Sequence, residues 1–470
     1  MSTGPVVHKD HGARLGEFYG IGCFIAALAA SPFLDRLTNV LLLLTTLLFA
    51  VVTRYSKRYL AGDPRQTHFT LWLCITGSCV FALILVENLL FFVLAWSATS
   101  LSLHHLLQFY KDRPAAIMAA RKKFIISRLG DICLISVLVL THRAFGSWDF
   151  NTMFAAAANM RNTTEVNLIC ILLVFAALLK SAQFPFHSWL PDTMETPTPV
   201  SALMHAGIIN AGGILVLRLR DLVTLSEAAM TILCLVGAFT AAFAAIVMLT
   251  QASVKRCLAF STVGQMGFMM LECGLGAFHL ALLHLVAHSL YKAHAFLTTG
   301  GVVKGKSNTT IQTIHPLAIL LAVATSLIVS ALSARWMGIE VAEQPVLSGI
   351  FTIAMAQLLW TSWTRMKSAW LIPAGVALGI VFALGYFALD RFASQLLLPH
   401  TPGPQWLVWP LLTLFTVVAL LQTQMPRISQ STFGMHLFVH ARNGFYLNTL
   451  ANRLTTWLWP TAAVSNKGSV

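Results

Sequence analysis

The chain has 470 residues, 57% of them hydrophobic and only 10% charged, with a net charge of +14 and a mean hydropathy of +0.74. Soluble domains carry roughly 25% charged residues, so this composition excludes a string of soluble domains and implies an all-α, polytopic membrane helical bundle. The basic residues sit in short stretches between apolar runs, not in an aromatic-basic stripe, which argues against nucleic acid.

Residues 1–14 are polar, and no short apolar core with a small-residue cleavage site follows. The first helix is therefore expected to remain as the insertion signal. From 15 to 424 about thirteen to fourteen apolar runs follow, each near the ~20 residues that cross a bilayer. They centre near Phe24, Leu44, Thr76, Leu94, Leu134, Leu173, Ile209, Val236, Gln265, Val286, Ala324, Ala354, Ala377 and Thr413. After the sixth run, Pro185, Pro191, Pro197 and Pro199 predict a broken helix near Pro185–Pro199.

Stretches after even-numbered runs carry Lys57, Arg58, Arg65, Lys111, Arg113, Arg121, Lys122, Lys123, Lys255, Arg256, Lys304, Lys306, Arg365 and Lys367. Those after odd-numbered runs are mixed: Asp35, Arg36, Asp149, Arg218, Arg220, Asp221, Glu340, Glu343, Asp390 and Arg391. The bias places both termini in the cytoplasm. Residues 425–470 are too polar to span. They read as an amphipathic segment for the membrane interface, with Trp457 and Trp459 at headgroup depth, or as a docking surface for a partner. The eight cysteines sit singly, with no CxxC pair, and read as small buried hydrophobes.

Charges inside spans cost at least ~2.5–3.5 kcal/mol each, so those retained ask for a reason. Lys180 ends the run LICILLVFAALLK just before the prolines. Irregular backbone at membrane depth is tolerated where it lines a protein-enclosed, wetted cavity. Burial there can bring a lysine into the range where protons exchange near neutral pH. His284, His288 and Lys292 are spaced four apart in HLVAHSLYKAHAFL. Successive members drift by only about 40° and rise ~6 Å, forming one polar stripe suited to passing protons. His279 and His294 lie off the stripe and read as structural. Asp131, Glu87 and Glu272 are the acidic candidates, the first two as counter-charge to Lys180. Asp131 also fits a plain pair with Arg128. No GxxxxGK[ST] loop, GxSxG, flavin fingerprint or metal-ligand spacing occurs. No cofactor and no catalysis by this chain are expected, and an ion gradient remains as the energy source.

KSAQFPFHSWLPDTMETPTPVSALMHAGIINAGG, QASVKRCLAFSTVGQMGFM and HLVAHSLYKAHAFL resemble the antiporter-like, proton-conducting membrane subunits of respiratory complex I and of Mrp sodium/proton antiporters. The resemblance covers residues 87–301 and implies a hydrated proton path through Lys180, His205, Lys255, His284, His288 and Lys292. Two departures are visible. Ser97 follows Trp96 where that family carries a glutamate, and the spans after Thr309 hold no central lysine or glutamate for a second half-channel. Within the family, HSWLPDTMETPTPVSALMHAGIINAGG and VHARNGFYLNTLANRL look like the DabB membrane subunits of two-part bacterial inorganic-carbon transporters. That implies a multi-pass protein of the bacterial cell inner membrane. Its cation flow, protons or sodium, would drive CO2 capture as bicarbonate by a DabA-like, zinc-binding cytoplasmic subunit. The alternatives are a subunit of an Mrp-type antiporter or of complex I, and a passive membrane anchor for a soluble enzyme.

Overall fold

The computed structural model describes residues 11–158, 163–301, 316–340, 344–365, 371–397, 403–428 and 431–460. The first membrane helices are α1 (His11–Ala30), α2 (Arg36–Tyr59), α3 (Gln66–Leu85), α4 (Leu89–Leu107), α5 (Pro114–Phe145) and α6 (Thr164–Lys180). Short turns over 181–197 lead to α7, which is split into Thr198–Ala206 and Ala211–Arg218. Then come α8 (Glu227–Leu249), α9 (Val254–Gly274), α10 (Phe278–Leu297), α11 (Pro316–Met337), α12 (Pro345–Arg365), α13 (Leu371–Leu396) and α14 (Val408–Ile428). Two shorter helices close the described chain, α15 (Thr432–Arg442) and α16 (Leu447–Leu458). No strand occurs among the described residues, only an isolated bridge between Asn88 and Asp149.

Local chemistry sets the helix ends. Asp35, Asn88, Thr163 and Ser226 each accept a backbone N–H with the side chain and start α2, α4, α6 and α8. Pro114 opens α5, and Gly146, at φ 68°, closes it in the left-handed region.

Every predicted span centre falls within one of α1–α14 except Ile209, which lies at the interruption of α7. Eleven of these segments are long and apolar enough to cross a membrane. The remaining three, α6, α9 and α10, carry Lys180, then Lys255 and Glu272, then His284, His288 and Lys292. Charges or shortness thus weaken the hydropathy of three of the helices that carry candidate residues. Large apolar side chains such as Phe91, Leu94, Ile132, Val139, Leu235, Phe239 and Val381 face outward, as the hydrocarbon side of a bundle requires.

Several charges predicted to lie in loops are inside helices. Arg121, Lys122 and Lys123 belong to α5, and both lysines are buried. At 1.5 Å per residue its 32 residues extend ~48 Å, well past a hydrocarbon layer of ~30 Å. Asp390 and Arg391 lie within α13, and Asp390 is buried. A run of charge at the end of a long helix looks like a loop to any hydropathy window. The irregular backbone expected at Pro185–Pro199 is present as the 181–197 connection, and a second interruption follows at Gly207–Asn210. Residues 1–10, Lys304, Lys306, Glu343 and Lys367 lie outside the described residues.

In lipid, helices associate through close packing more than through hydrophobic expulsion. The α8–α9 contact depends on this. A Cβ on Gly237 would stand 2.6 Å from both the carbonyl oxygen of Gly267 and the amide nitrogen of Leu271. One on Gly267 would stand 2.6 Å from the amide nitrogen of Ala241. Gly237→Val should therefore force the two backbones apart, losing at least the ~1–3 kcal/mol of an overpacked core. The monodisperse fraction in detergent should fall and the melting temperature drop. Gly385→Ala, where nothing stands within 4 Å of a Cβ, should match the parent in both measurements.

Candidate functional site

α6 runs ~26 Å from Thr164 to its last residue, Lys180, whose side chain is buried within the bundle. The helix stops because Ala182 takes a left-handed conformation, φ 50°, ahead of the proline-rich connection. Ser181 then donates its hydroxyl to the carbonyl of Ile209 at 3.0 Å, tying the end of α6 to the break in α7.

The Lys180 side chain is buried. Its Nζ donates to the carbonyl of Trp96 at 3.4 Å and lies 4.4 Å from the centre of the Trp96 ring. Asp131 and Arg128 on α5 both act on it electrostatically. Asp131 is buried, pairs with Arg128 at 2.8 Å and adjoins Ser97. Asp131 thus lies within electrostatic reach of Lys180, next to the Ser97 position on α4. Of the two sequence readings of Asp131, the pairing with Arg128 is present in this fold. Glu87 does not join the cluster. It is exposed on the α3–α4 turn, where a depression also bounded by Asp35, Arg36 and Arg218 opens, and its electrostatic neighbour is Arg218.

A second cluster forms where α7, α9 and α10 meet. His205 is fully buried, its Nδ1 lies 3.0 Å from the Thr262 hydroxyl and its ring stacks on Phe296 with centres 4.4 Å apart. His284, His288 and Lys292 do form one stripe. The two imidazole rings are 6.4 Å apart, and Lys292 donates to the carbonyl of Leu258 at 3.1 Å. Lys292 acts electrostatically on both His205 and His288. Nε2 of His205 and both ring nitrogens of His288 have no hydrogen-bond partner among the described residues. His284 sits between Glu272 at 2.9 Å and Gln265 at 2.7 Å. Lys255 stands apart at the first turn of α7, its Nζ 3.3 Å from the Thr198 hydroxyl it donates to.

The break in α7 joins the two clusters. Asn210 donates to the Ser289 hydroxyl on α10 at 2.7 Å and to the carbonyl of Ala206 at 3.0 Å. With the Ser181–Ile209 bond, the same four-residue interruption touches Lys180's helix on one side and the histidine stripe on the other.

Two groups escaped the sequence reading. Lys123 is 2% exposed and donates to the carbonyl of Ser100 at 2.6 Å and its hydroxyl at 2.7 Å. Its signal was available, since Lys123, Ser127 and Asp131 are spaced four apart and are all buried on one face of α5. Lys122 pairs with Asp192 of the connection and donates to Asn448 of α16, which in turn donates to Asp192 at 3.1 Å. Arg121 reaches the carbonyl and ring of Trp459, and Phe243 meets Phe445. The C-terminal segment thus lies across the ends of α5 and α8, leaving Leu450, Leu454, Trp457 and Leu458 exposed on α16. No sequence pattern links positions so far apart in the chain.

The family model described as NADH:quinone oxidoreductase/Mrp antiporter, TM, matches residues 86–380. A protein of Halothiobacillus neapolitanus named probable inorganic carbon transporter subunit DabB2 is 41% identical over 455 residues, covering 93% of this chain and 82% of that protein. The chain belongs to this antiporter-like family, among its DabB members. A second DabB, from Hydrogenovibrio crunogenus and likewise named a probable inorganic carbon transporter subunit, is 35% identical over 441 residues, covering 91% of this chain and 83% of its own. The DabB chain also shares its fold with the Mrp complex from Dietzia, at a TM-score of 0.59 and 20% identity over 98% of this chain and 56% of that one. It is a multi-pass membrane protein.

The buried Lys122–Asp192 pair gives a direct test of how the C-terminal segment is held. Asp192→Ala leaves Lys122 buried without its carboxylate, a change that typically costs ~3–5 kcal/mol. The exposed Arg113–Glu195 pair, 3.6 Å apart, should contribute ~0–1 kcal/mol. Hydrogen exchange should show 447–458 opening in Asp192→Ala and unchanged in Glu195→Ala.

Proposed function

We propose that this DabB chain conducts a cation, most simply the proton, down its gradient across the bacterial inner membrane. The flow drives CO2 capture as bicarbonate in a DabA-like, zinc-binding cytoplasmic subunit bound to it. The observation that carries this reading is the pair of buried titratable clusters, Lys180–Asp131 and His205–His288–Lys292, joined through the broken backbone of α7.

In this reading Lys180 is the switch. Protonated, it is held by Asp131 and the face of Trp96. A proton leaving it crosses the Ser181–Asn210 interruption to His288 and Lys292, and His205 responds to the charge on Lys292. Lys255 lines the approach on the face where α1 starts. Residues 87–301 form the conducting core, and 425–470 supply the docking or interfacial surface. The reaction belongs to the partner. A proton falling through 150 mV yields ~3.5 kcal/mol, which at ~1.4 kcal/mol per decade sustains accumulation of a few hundred-fold.

Lys180→Ala should insert, fold and co-purify with the partner, yet lose growth in air-level CO2 while growing normally at raised CO2. Lys292→Ala should behave alike. Growth of both variants in air would leave only a passive anchor. Sodium/proton exchange by purified vesicles lacking the partner would favour an antiporter instead.

A further inference from the structure

Read as sequence, the spans beyond Thr309 offer no central lysine or glutamate, Asp390 looks like a loop residue and His279 like a packing residue. The fold brings the last two together. Asp390 is 7% exposed within α13, and its Oδ1 stands 2.9 Å from Nε2 of His279, which is 5% exposed at the start of α10. The same ring nitrogen lies 3.3 Å from the side-chain amide nitrogen of Gln344, just ahead of α12. One turn before Asp390 on α13, the Tyr386 phenol interacts electrostatically with both Asp390 and Glu272. Glu272 holds Nδ1 of His284 at 2.9 Å.

These groups share one end of the bundle. α9 ends there at Gly274, α10 begins there at Phe278, and Asp390 lies in the last two turns of α13. This is the face opposite the start of α1 and the end of α14. The surrounding contact is apolar, built from Leu271, Leu275, Leu280 and Val346, and would hold the helices together unaided. A buried imidazole–carboxylate pair adds nothing to that adhesion, because desolvating the charges offsets their attraction. Ionisable groups kept at such cost in a membrane mark a route.

We infer that Gln344, His279, Asp390, Tyr386 and Glu272 form a half-path carrying protons between this face and His284. It rests on the proposed function and supplies the access that the spans after Thr309 lack in sequence. A proton taken up by His279 passes to the Asp390 carboxylate. Tyr386, one turn before Asp390 on α13, serves as the link toward Glu272, which hands a proton to Nδ1 of His284, 2.9 Å away. No electron moves, and each group returns to its starting state as the next proton arrives.

The test is proton uptake by proteoliposomes holding the intact two-subunit complex under an imposed pH gradient, read with an entrapped pH indicator in sodium-free buffer and normalised to assembled complex. Lys180→Ala serves as reference. Asp390→Asn, His279→Gln and Tyr386→Phe should each slow uptake about tenfold or more, and Asp390→Glu should restore most of it. The residual rate should lose its dependence on the pH of the compartment opposite the start of α1, an effect that loosened packing does not produce. If Asp390→Asn fails to assemble, His279→Gln and the near-isosteric Tyr386→Phe decide. Parental uptake in these variants with a slow Lys180→Ala would overturn the half-path and leave the proposed function standing. Parental uptake in Lys180→Ala as well would remove both.

Discussion

An ammonium group inside hydrocarbon needs a partner, and the arrangement around Lys180 follows from that requirement. With ~2.5–3.5 kcal/mol or more at stake for each buried charge, the fold surrounds this lysine with a carboxylate on α5, the carbonyl and ring of Trp96 on α4, and the hydroxyl-tied end of its own helix. Ser97 stands at the position the resemblance expects to be acidic, and Asp131 is placed beside it.

The break in α7 is the second constraint. A continuous helix would satisfy every backbone group and offer none to its neighbours. Interrupting it at Gly207–Asn210 frees the carbonyl of Ile209 for Ser181 and turns Asn210 toward Ser289. One local defect, affordable because α7 is almost wholly buried in protein, therefore couples the lysine helix to the histidine helix. The C-terminal segment adds a contact of a different kind. Through Asn448 it completes the Lys122–Asp192 pair, so the stretch that leads from Lys180 to α7 is bonded to residues more than two hundred positions further along the chain. A partner seated on the exposed face of α16 would press on that stretch without touching the bilayer interior.

The chain belongs among the DabB members of the antiporter-like family. The departures from the antiporter pattern acquire a physical meaning in the fold. Lys123, buried against Ser100, extends the line of titratable groups toward the face where α1 starts. His279 and Asp390 extend it toward the other. The chain thus carries ionisable groups at both ends of one central line.

The sequence by itself determined the all-helical membrane bundle, the break near the prolines and the four-residue spacing of His284, His288 and Lys292. These depend on apolar run length, on four-residue spacing and on proline, all local properties that a linear reading captures. It also carried the Lys123–Ser127–Asp131 spacing, hidden because a helix longer than the bilayer presents its inner charges as if they were loop charges. Only the tertiary structure decided which charges meet. Asp131 rather than Glu87 lies within electrostatic reach of Lys180, His279 finds Asp390, and Asn448 closes on Lys122. Each pairing joins helices distant in sequence, and the energy of a buried charge depends on what surrounds it in space, which no spacing along the chain encodes.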